Sequence, residues 1–114
     1  MFVFQKKEGQ GRRIMKIGIL VTQTPYANKI IEITKEAVKR GHIVSIFMTD
    51  DGIYLIKNGA VADLRKLDNV DMSLCNYSAK GRNLDESEIP EGVINGTQYQ
   101  NALIHNECDK VLIF

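Results

Sequence analysis

The sequence predicts an α/β domain in which helices cover both faces of a mainly parallel, five-stranded sheet. The chain has 114 residues, close to the commonest size of a single domain. Short, β-branched apolar runs recur along it, and such runs suit strands that are buried on both faces. Helical segments separate these runs, and alternating strands and helices are typical of a parallel sheet covered on both sides.

Five apolar runs are interpreted as the strands, at residues 16–22, 42–48, 70–74, 92–95 and 110–114. A long amphipathic helix is expected between the first two, with Thr24 and Pro25 as its cap and first turn and Gly41 as its stop. Shorter helical segments are expected over 52–57, 61–67 and 77–82.

A last helix is expected before the final strand. Thr97 and Gln100 have the spacing of a capping box, in which two residues exchange side chain–backbone hydrogen bonds at a helix start. The residues expected on the inner face of this helix are Tyr99, Ala102, Leu103 and Asn106.

The beginning of the chain differs in character from the rest. Residues 1–14 lack periodicity and contain Gly9 and Gly11, whereas Met15 opens a strong apolar run. We expect 15–114 to form the folded domain. Residues 1–14 are expected to be an N-terminal extension, either disordered or upstream of a natural start at Met15, and no chemistry is assigned to them.

Composition argues against several classes of function. Lysine and arginine total 15 against 14 for aspartate and glutamate, so the basic surplus typical of nucleic-acid binding is absent. No apolar run reaches the length of a membrane span, and the basic residues near the start follow the apolar ones, the reverse of a signal peptide. Two cysteines are fewer than a disulfide-stapled secreted domain carries. We therefore expect a cytoplasmic protein with reduced thiols and no nucleic-acid or membrane partner.

Common cofactor motifs are also missing from the sequence. Residues 22–26, after the first strand, match neither GxGxxG nor a P-loop, and no GxSxG is present. His105 and Cys108 are three residues apart but lack the second ligand pair that a four-ligand zinc site needs. No metal or organic cofactor is expected.

Ligands of open parallel sheets collect beyond the carboxyl ends of the strands. The segments expected at these ends are 22–24, 49–52, 75–78 and 96–97. Cys75 is the only strong nucleophile among them. Cys108 lies between a helix and the last strand, at the opposite edge of the sheet, and is interpreted as structural.

The surroundings of Cys75 favour its reactive thiolate form. A helix is expected to begin just after it, and the free N–H groups of a helix start stabilise an anion. Lys80 and Arg82 add positive charge, although acidic residues at 85, 86 and 88 oppose it. The alternative interpretation is that Cys75 only packs, since cysteine is among the most buried residue types.

The order of several short motifs resembles a known family. They are Thr-x-x-Pro-Tyr at 22–26, Arg-Gly-His at 40–42, Asp-Gly at 51–52, a cysteine loop at 75–82, Gly-Val at 92–93 and Asp-Lys-Val-Leu-Ile-Phe at 109–114. In this order, over 15–114, they resemble the DsrE/DsrF-like family. The resemblance implies a three-layer α/β/α sandwich, assembly into homo- or hetero-oligomeric trimers or hexamers, and sulfur handling in the cytoplasm.

The resemblance also implies a role for Cys75. In family members that carry it, a cysteine after the third strand accepts sulfur from a persulfide and passes it on. Cys75 falls at that position, and Ser78 fits the motif that follows the cysteine, while Gly81-Arg82 reverses the family's Arg-Gly order. The residues expected to bind substrate or stabilise an anion are Asn76, Ser78, Lys80, Arg82, Thr22 and Asp51.

Two functions are compatible with these observations. One is a sulfur carrier that uses Cys75, with donor and acceptor proteins as partners and no cofactor. The other is a non-catalytic oligomeric subunit or small-ligand binding module on the same fold, in which Cys75 packs and interaction surfaces carry the function.

Overall fold

The computed structural model describes residues 2–5 and 14–114 of the chain. The strands are β1 (Phe2–Gln5), β2 (Lys16–Val21), β3 (Ile43–Met48), β4 (Val70–Cys75), β5 (Val93–Gly96) and β6 (Lys110–Ile113). The α-helices are α1 (Ala27–Lys39), α2 (Gly59–Ala62), α3 (Asn76–Gly81) and α4 (Gln98–Glu107). Short 3₁₀ helices span Asp50–Lys57, Asp63–Lys66 and Glu86–Glu88.

The strands form one sheet in the order β1-β6-β2-β3-β4-β5. All neighbours from β6 to β5 are parallel, which confirms the predicted five-stranded parallel sheet. A sixth strand, β1, pairs antiparallel with β6, with Phe2 opposite Ile113 and Gln5 opposite Lys110. These residues belong to the expected N-terminal extension, where no strand was predicted because four residues are too few to show a period. The rest of the extension up to residue 13 lies outside the described residues.

Successive side chains of the central strands point to opposite faces of the sheet. On one face Ile19 and Ile46 are fully buried in the larger apolar cluster, together with Ile30 of α1. On the other face Leu20 and Phe47 form a smaller cluster with residues of α4 and β6. Helices therefore cover both faces, which confirms the three-layer α/β/α architecture.

Helix α1 ends where the sequence predicts, but it does not begin there. Gly41 stops the helix as expected: it has φ +85°, and its N–H donates to the Val38 carbonyl while the His42 N–H donates to Ala37. The predicted start was wrong. Tyr26 occupies the cap position without a side-chain hydrogen bond, and Thr24 and Pro25 lie before the helix.

The start of α4 matches the prediction, but its inner face does not. Thr97 Oγ1 accepts from the Tyr99 N–H at 3.1 Å, and Gln100 Oε1 accepts from the Thr97 N–H at 2.8 Å. Ile104 is the buried residue of the helix. Of the predicted inner face, Leu103 is half-buried, whereas Tyr99, Ala102 and Asn106 are exposed.

The orientation of α4 follows from its contact with Gly18 of β2. A Cβ atom at Gly18 would overlap Cγ2 of Ile104 and lie 3.2 Å from Sγ of Cys108. Glycine therefore lets the helix approach the sheet through Ile104. This contact joins residues far apart in sequence, and the periodicity of α4 alone does not contain it.

None of the helices in the described part of the chain is both long and apolar enough to cross a membrane.

Candidate functional site

A pocket of about 480 Å³ lies where the carboxyl ends of β3, β4 and β5 meet. Its lining comprises Thr49, Asp50, Cys75, Asn76, Tyr77, Ser78, Thr97 and Gln98. Three of the segments that the strand-end rule selected, 49–52, 75–78 and 96–97, contribute to it. The fourth, 22–24, does not.

Cys75 is placed by a direct passage from strand to helix. It is the last residue of β4 and the cap residue of α3, and it is paired in register with Gly96 of β5. Its side chain belongs to the smaller apolar cluster with Leu20 and Phe47 and is 3% exposed. Cys75 also lines the pocket, so the pocket borders its side chain.

The Cys75 sulfur is surrounded by hydrogen-bond donors. Burial raises the pKa of the Cys75 thiol, but the backbone N–H and hydroxyl of Ser78, the carboxamide of Gln98 and the backbone N–H of Tyr77 lower it. The donors prevail, so the pKa lies below the ordinary value for a thiol. Because such donors favour the charged form, the pocket stabilises a thiolate.

Ser78 is buried and holds the loop after β3 against the start of α3. Its Oγ accepts from the Asp50 N–H at 3.0 Å and lies 3.1 Å from Oγ1 of Thr49. Asp50 has φ 50°, a backbone conformation that residues other than glycine seldom adopt. The bond to Ser78 helps to hold this unusual turn at the edge of the pocket.

Three more hydrogen bonds involve residues that line the pocket. Gln98 Nε2 donates to Thr49 Oγ1 at 3.2 Å, and Asn101 Nδ2 donates to Gln98 Oε1 at 3.1 Å. Asn76 Nδ2 donates to Asn95 Oδ1 at 3.0 Å. Gln98 was not among the predicted site residues, although its position directly after the predicted cap Thr97 was a usable signal.

The predicted site residues fall into two groups. Asn76 and Ser78 line the pocket with Cys75. Lys80 has an exposed side chain outside the lining. Arg82 is also outside it, because Nε forms an ion pair with Oδ1 of Asp51 at 2.9 Å. The anion-stabilising role of Lys80 and Arg82 stays a prediction, and the Asp51 carboxylate already neutralises one of the two charges.

Thr22 lies apart from these residues. Its Oγ1 donates to the Phe114 carbonyl at 2.8 Å and its N–H donates to the same oxygen at 2.7 Å. These bonds tie the end of β2 to the end of the chain. Its predicted contact with a ligand is not tested by this geometry.

The pKa of the second cysteine is shifted in the opposite direction. Cys108 precedes β6 and is 2% exposed, in the same apolar cluster as Cys75. Burial raises the pKa of the Cys108 thiol to about 11. Cys108 therefore stays protonated near neutral pH, as the structural role predicted for it requires.

Comparison with known proteins places this fold and pocket in a family. A sequence model of the DsrE/DsrF-like family matches residues 15–114. The chain belongs to the DsrE/DsrF-like family. This confirms the resemblance drawn from the motifs. Among residues 2–5 and 14–114, no three His, Cys, Asp or Glu side chains are grouped so as to hold a metal ion.

Relatives of this DsrE-like chain are diverse in sequence. The uncharacterized protein MK0008 of Methanopyrus kandleri is 26% identical over 112 residues, which cover 86% of this chain and 93% of that protein. The crystal structure of the ychN protein from E. coli superposes with a TM-score of 0.72 at 22% identity, covering 89% of this chain and all of that one. MTH1491 of Methanobacterium thermoautotrophicum, a protein of unknown function, gives a TM-score of 0.65 at 9% identity, with 88% and 99% covered. At these identities the two structures show the shared fold.

Proposed function

We propose that this DsrE-like protein is a cytoplasmic sulfur carrier that holds persulfide sulfur on Cys75. The observation that carries the proposal is the position of Cys75 in a pocket lined by Ser78, Gln98 and Tyr77, whose hydrogen bonding lowers the pKa of its thiol. A thiolate is the form that attacks a sulfur atom, and these donors increase its population near neutral pH.

The chemistry needs no outside oxidant or reductant. The Cys75 thiolate attacks the outer sulfur of a donor persulfide, R–S–SH. The new S–S bond forms as the donor's own S–S bond breaks, and the donor leaves as a thiolate that takes up a proton. The Cys75 persulfide is then attacked at its outer sulfur by an acceptor thiolate, which restores the Cys75 thiolate. The pocket of about 480 Å³ leaves room for the added sulfur atom.

The proposal includes partners and a compartment. A donor and an acceptor protein must each reach Cys75, and assembly into trimers or hexamers is proposed from the family resemblance. A cytoplasmic setting keeps both thiols reduced before loading. No metal or organic cofactor takes part in the proposed steps.

A second function is favoured by one observation. Cys75 is 3% exposed and packs with Leu20 and Phe47. The same geometry suits a non-catalytic subunit or a small-ligand binding module, in which the pocket binds a ligand and the thiol only fills space.

Sulfur uptake separates the two functions. We expect wild-type protein treated with glutathione persulfide to gain the mass of one sulfur atom per chain, because Cys75 supplies a reactive thiolate. Cys75→Ser is expected to gain none, whereas Cys108→Ser, the matched control at the other buried thiol, is expected to load like wild type. Intact-mass spectrometry under non-reducing conditions reads all three. Equal loading of Cys75→Ser and wild type would contradict the carrier and leave the binding module.

A further inference from the structure

A continuous network of side-chain hydrogen bonds runs from α4 toward Cys75. Asn101 donates to Gln98 at 3.1 Å, Gln98 donates to Thr49 at 3.2 Å, and Thr49 lies 3.1 Å from Ser78. Gln98 and Ser78 line the same pocket as Cys75, and their hydrogen bonding lowers the pKa of its thiol. This network thus joins the first turn of α4 to the loop after β3 and the start of α3.

The hydrogen bond from Asn101 sets the orientation of the Gln98 carboxamide. A carboxamide has one acceptor side and one donor side. Asn101 Nδ2 occupies the acceptor side, since it donates to Gln98 Oε1. The donor side, Nε2, therefore faces Thr49 and Cys75.

The Ser78 hydroxyl is constrained in a similar way. Its single proton can go either to Thr49 or to the Cys75 sulfur. The Asp50 N–H already donates to Ser78 Oγ. Thr49 Oγ1 accepts a hydrogen bond from Gln98 Nε2 and lies 3.1 Å from Ser78 Oγ. When the Thr49 hydroxyl donates to Ser78, the Ser78 proton is directed to the Cys75 sulfur, and the hydroxyl of Ser78 lowers the pKa of that thiol.

We propose that Asn101 and Thr49 are positioning residues that hold Gln98 and Ser78 as hydrogen-bond donors to the Cys75 sulfur. Neither residue is a catalytic residue, since each acts through its neighbour. The inference rests on the proposed function only in taking Cys75 as the reacting group. In this proposal α4 positions hydrogen-bond donors at Cys75 as well as covering the sheet.

The buried carboxamide oxygen of Asn101 makes its variant informative. Asn101 Oδ1 is buried and has no hydrogen-bond partner among the described residues. Truncating Asn101 removes this unsatisfied acceptor, so a purely structural role would show as little change or a gain in stability. A positioning role shows instead as a change at Cys75.

The test is the pH dependence of Cys75 alkylation by iodoacetamide in the full chain. We expect Gln98→Ala and Asn101→Ala to move the midpoint of the profile to higher pH and to slow alkylation at pH 7 by about three- to tenfold, as loss of a donor disfavours the thiolate. The double variant is expected to match Gln98→Ala alone, because Asn101 acts through Gln98. Thr49→Val, which keeps the shape and removes the hydroxyl, is expected to shift the midpoint in the same direction.

The matched control is Asn106→Ala, an exposed asparagine on the same helix, which is expected to leave the midpoint unchanged. An unchanged midpoint in Gln98→Ala and Asn101→Ala overturns the inference, as does an equal shift in the control. A shift to lower pH also overturns it, since it means that the Gln98 oxygen faces the sulfur. Gln98 is exposed at the first residue of α4, so its variant keeps the test valid should Asn101→Ala fail to fold.

Persulfide loading of wild-type protein separates this inference from the proposed function. Loading on Cys75 without any midpoint shift in the variants overturns the positioning network alone. Midpoint shifts without loading overturn the carrier function alone.

Discussion

Iodoacetamide at pH 7 is expected to alkylate Cys75 at least about tenfold faster than Cys108. Each pKa unit between two thiols changes the thiolate ratio about tenfold, and the weaker nucleophilicity of the low-pKa thiolate offsets about half of that effect on a logarithmic scale. Hydrogen-bond donors hold the pKa of Cys75 below its ordinary value, whereas burial raises that of Cys108 to about 11. Peptide mapping by mass spectrometry at several reaction times gives both rates in one sample.

The two alkylation rates are also expected to depend differently on pH. As pH rises, the Cys75 rate is expected to level off first, once its thiolate is fully formed. The Cys108 rate is expected to keep rising toward pH 11. Cys75→Ser should retain only the slow reaction and Cys108→Ser only the fast one. Equal rates for the two thiols at pH 7 would contradict the thiolate pocket.

Gly52→Ala is expected to cause the largest loss of stability of the substitutions considered, about 3 kcal/mol, because overpacking against backbone leaves no side chain to move aside. A Cβ atom at Gly52 would overlap the carbonyl oxygen of Val21 and lie 2.5 Å from its carbonyl carbon. The loop after β3 would have to lift away from the end of β2. Urea unfolding followed by circular dichroism measures the change.

The same substitution is expected to disturb the pocket. Gly52 donates its N–H to Thr49, and Thr49 and Asp50 contact Ser78. Moving this loop would raise the pKa of Cys75 by weakening the hold on Ser78. Gly59→Ala is the matched control, since a Cβ atom there meets no atom within 4 Å and alanine favours a helix over glycine. Equal stability of the two variants would show that the close approach at Gly52 is not required.

The position of Cys75 could be predicted from the sequence because it follows from local patterns. An apolar run ends at Leu74, and the strand-end rule then selects the next residues. The Gly41 stop and the Thr97 capping box are equally local, and the structure confirms both. The parallel sheet follows from the alternation of strands and helices.

The rest of the site depends on contacts between distant parts of the chain. Which side of α4 faces inward is decided by the contact between Ile104 and Gly18. The Arg82 charge is paired with Asp51, 31 residues away. Sequence spacing within one segment contains neither fact, so the inner face of α4 was predicted wrongly and the ion pair of Arg82 was not predicted.

The most direct test of the sulfur carrier is the amount of transferable sulfur on the purified, loaded protein. After treatment with glutathione persulfide and removal of the donor, cyanide attacks the outer sulfur of a cysteine persulfide and releases thiocyanate and the cysteine thiolate. Wild type and Cys108→Ser are expected to yield thiocyanate in proportion to the chains loaded, and Cys75→Ser none. Thiocyanate from Cys75→Ser at the wild-type level, or none from wild type, would contradict a persulfide carried on Cys75.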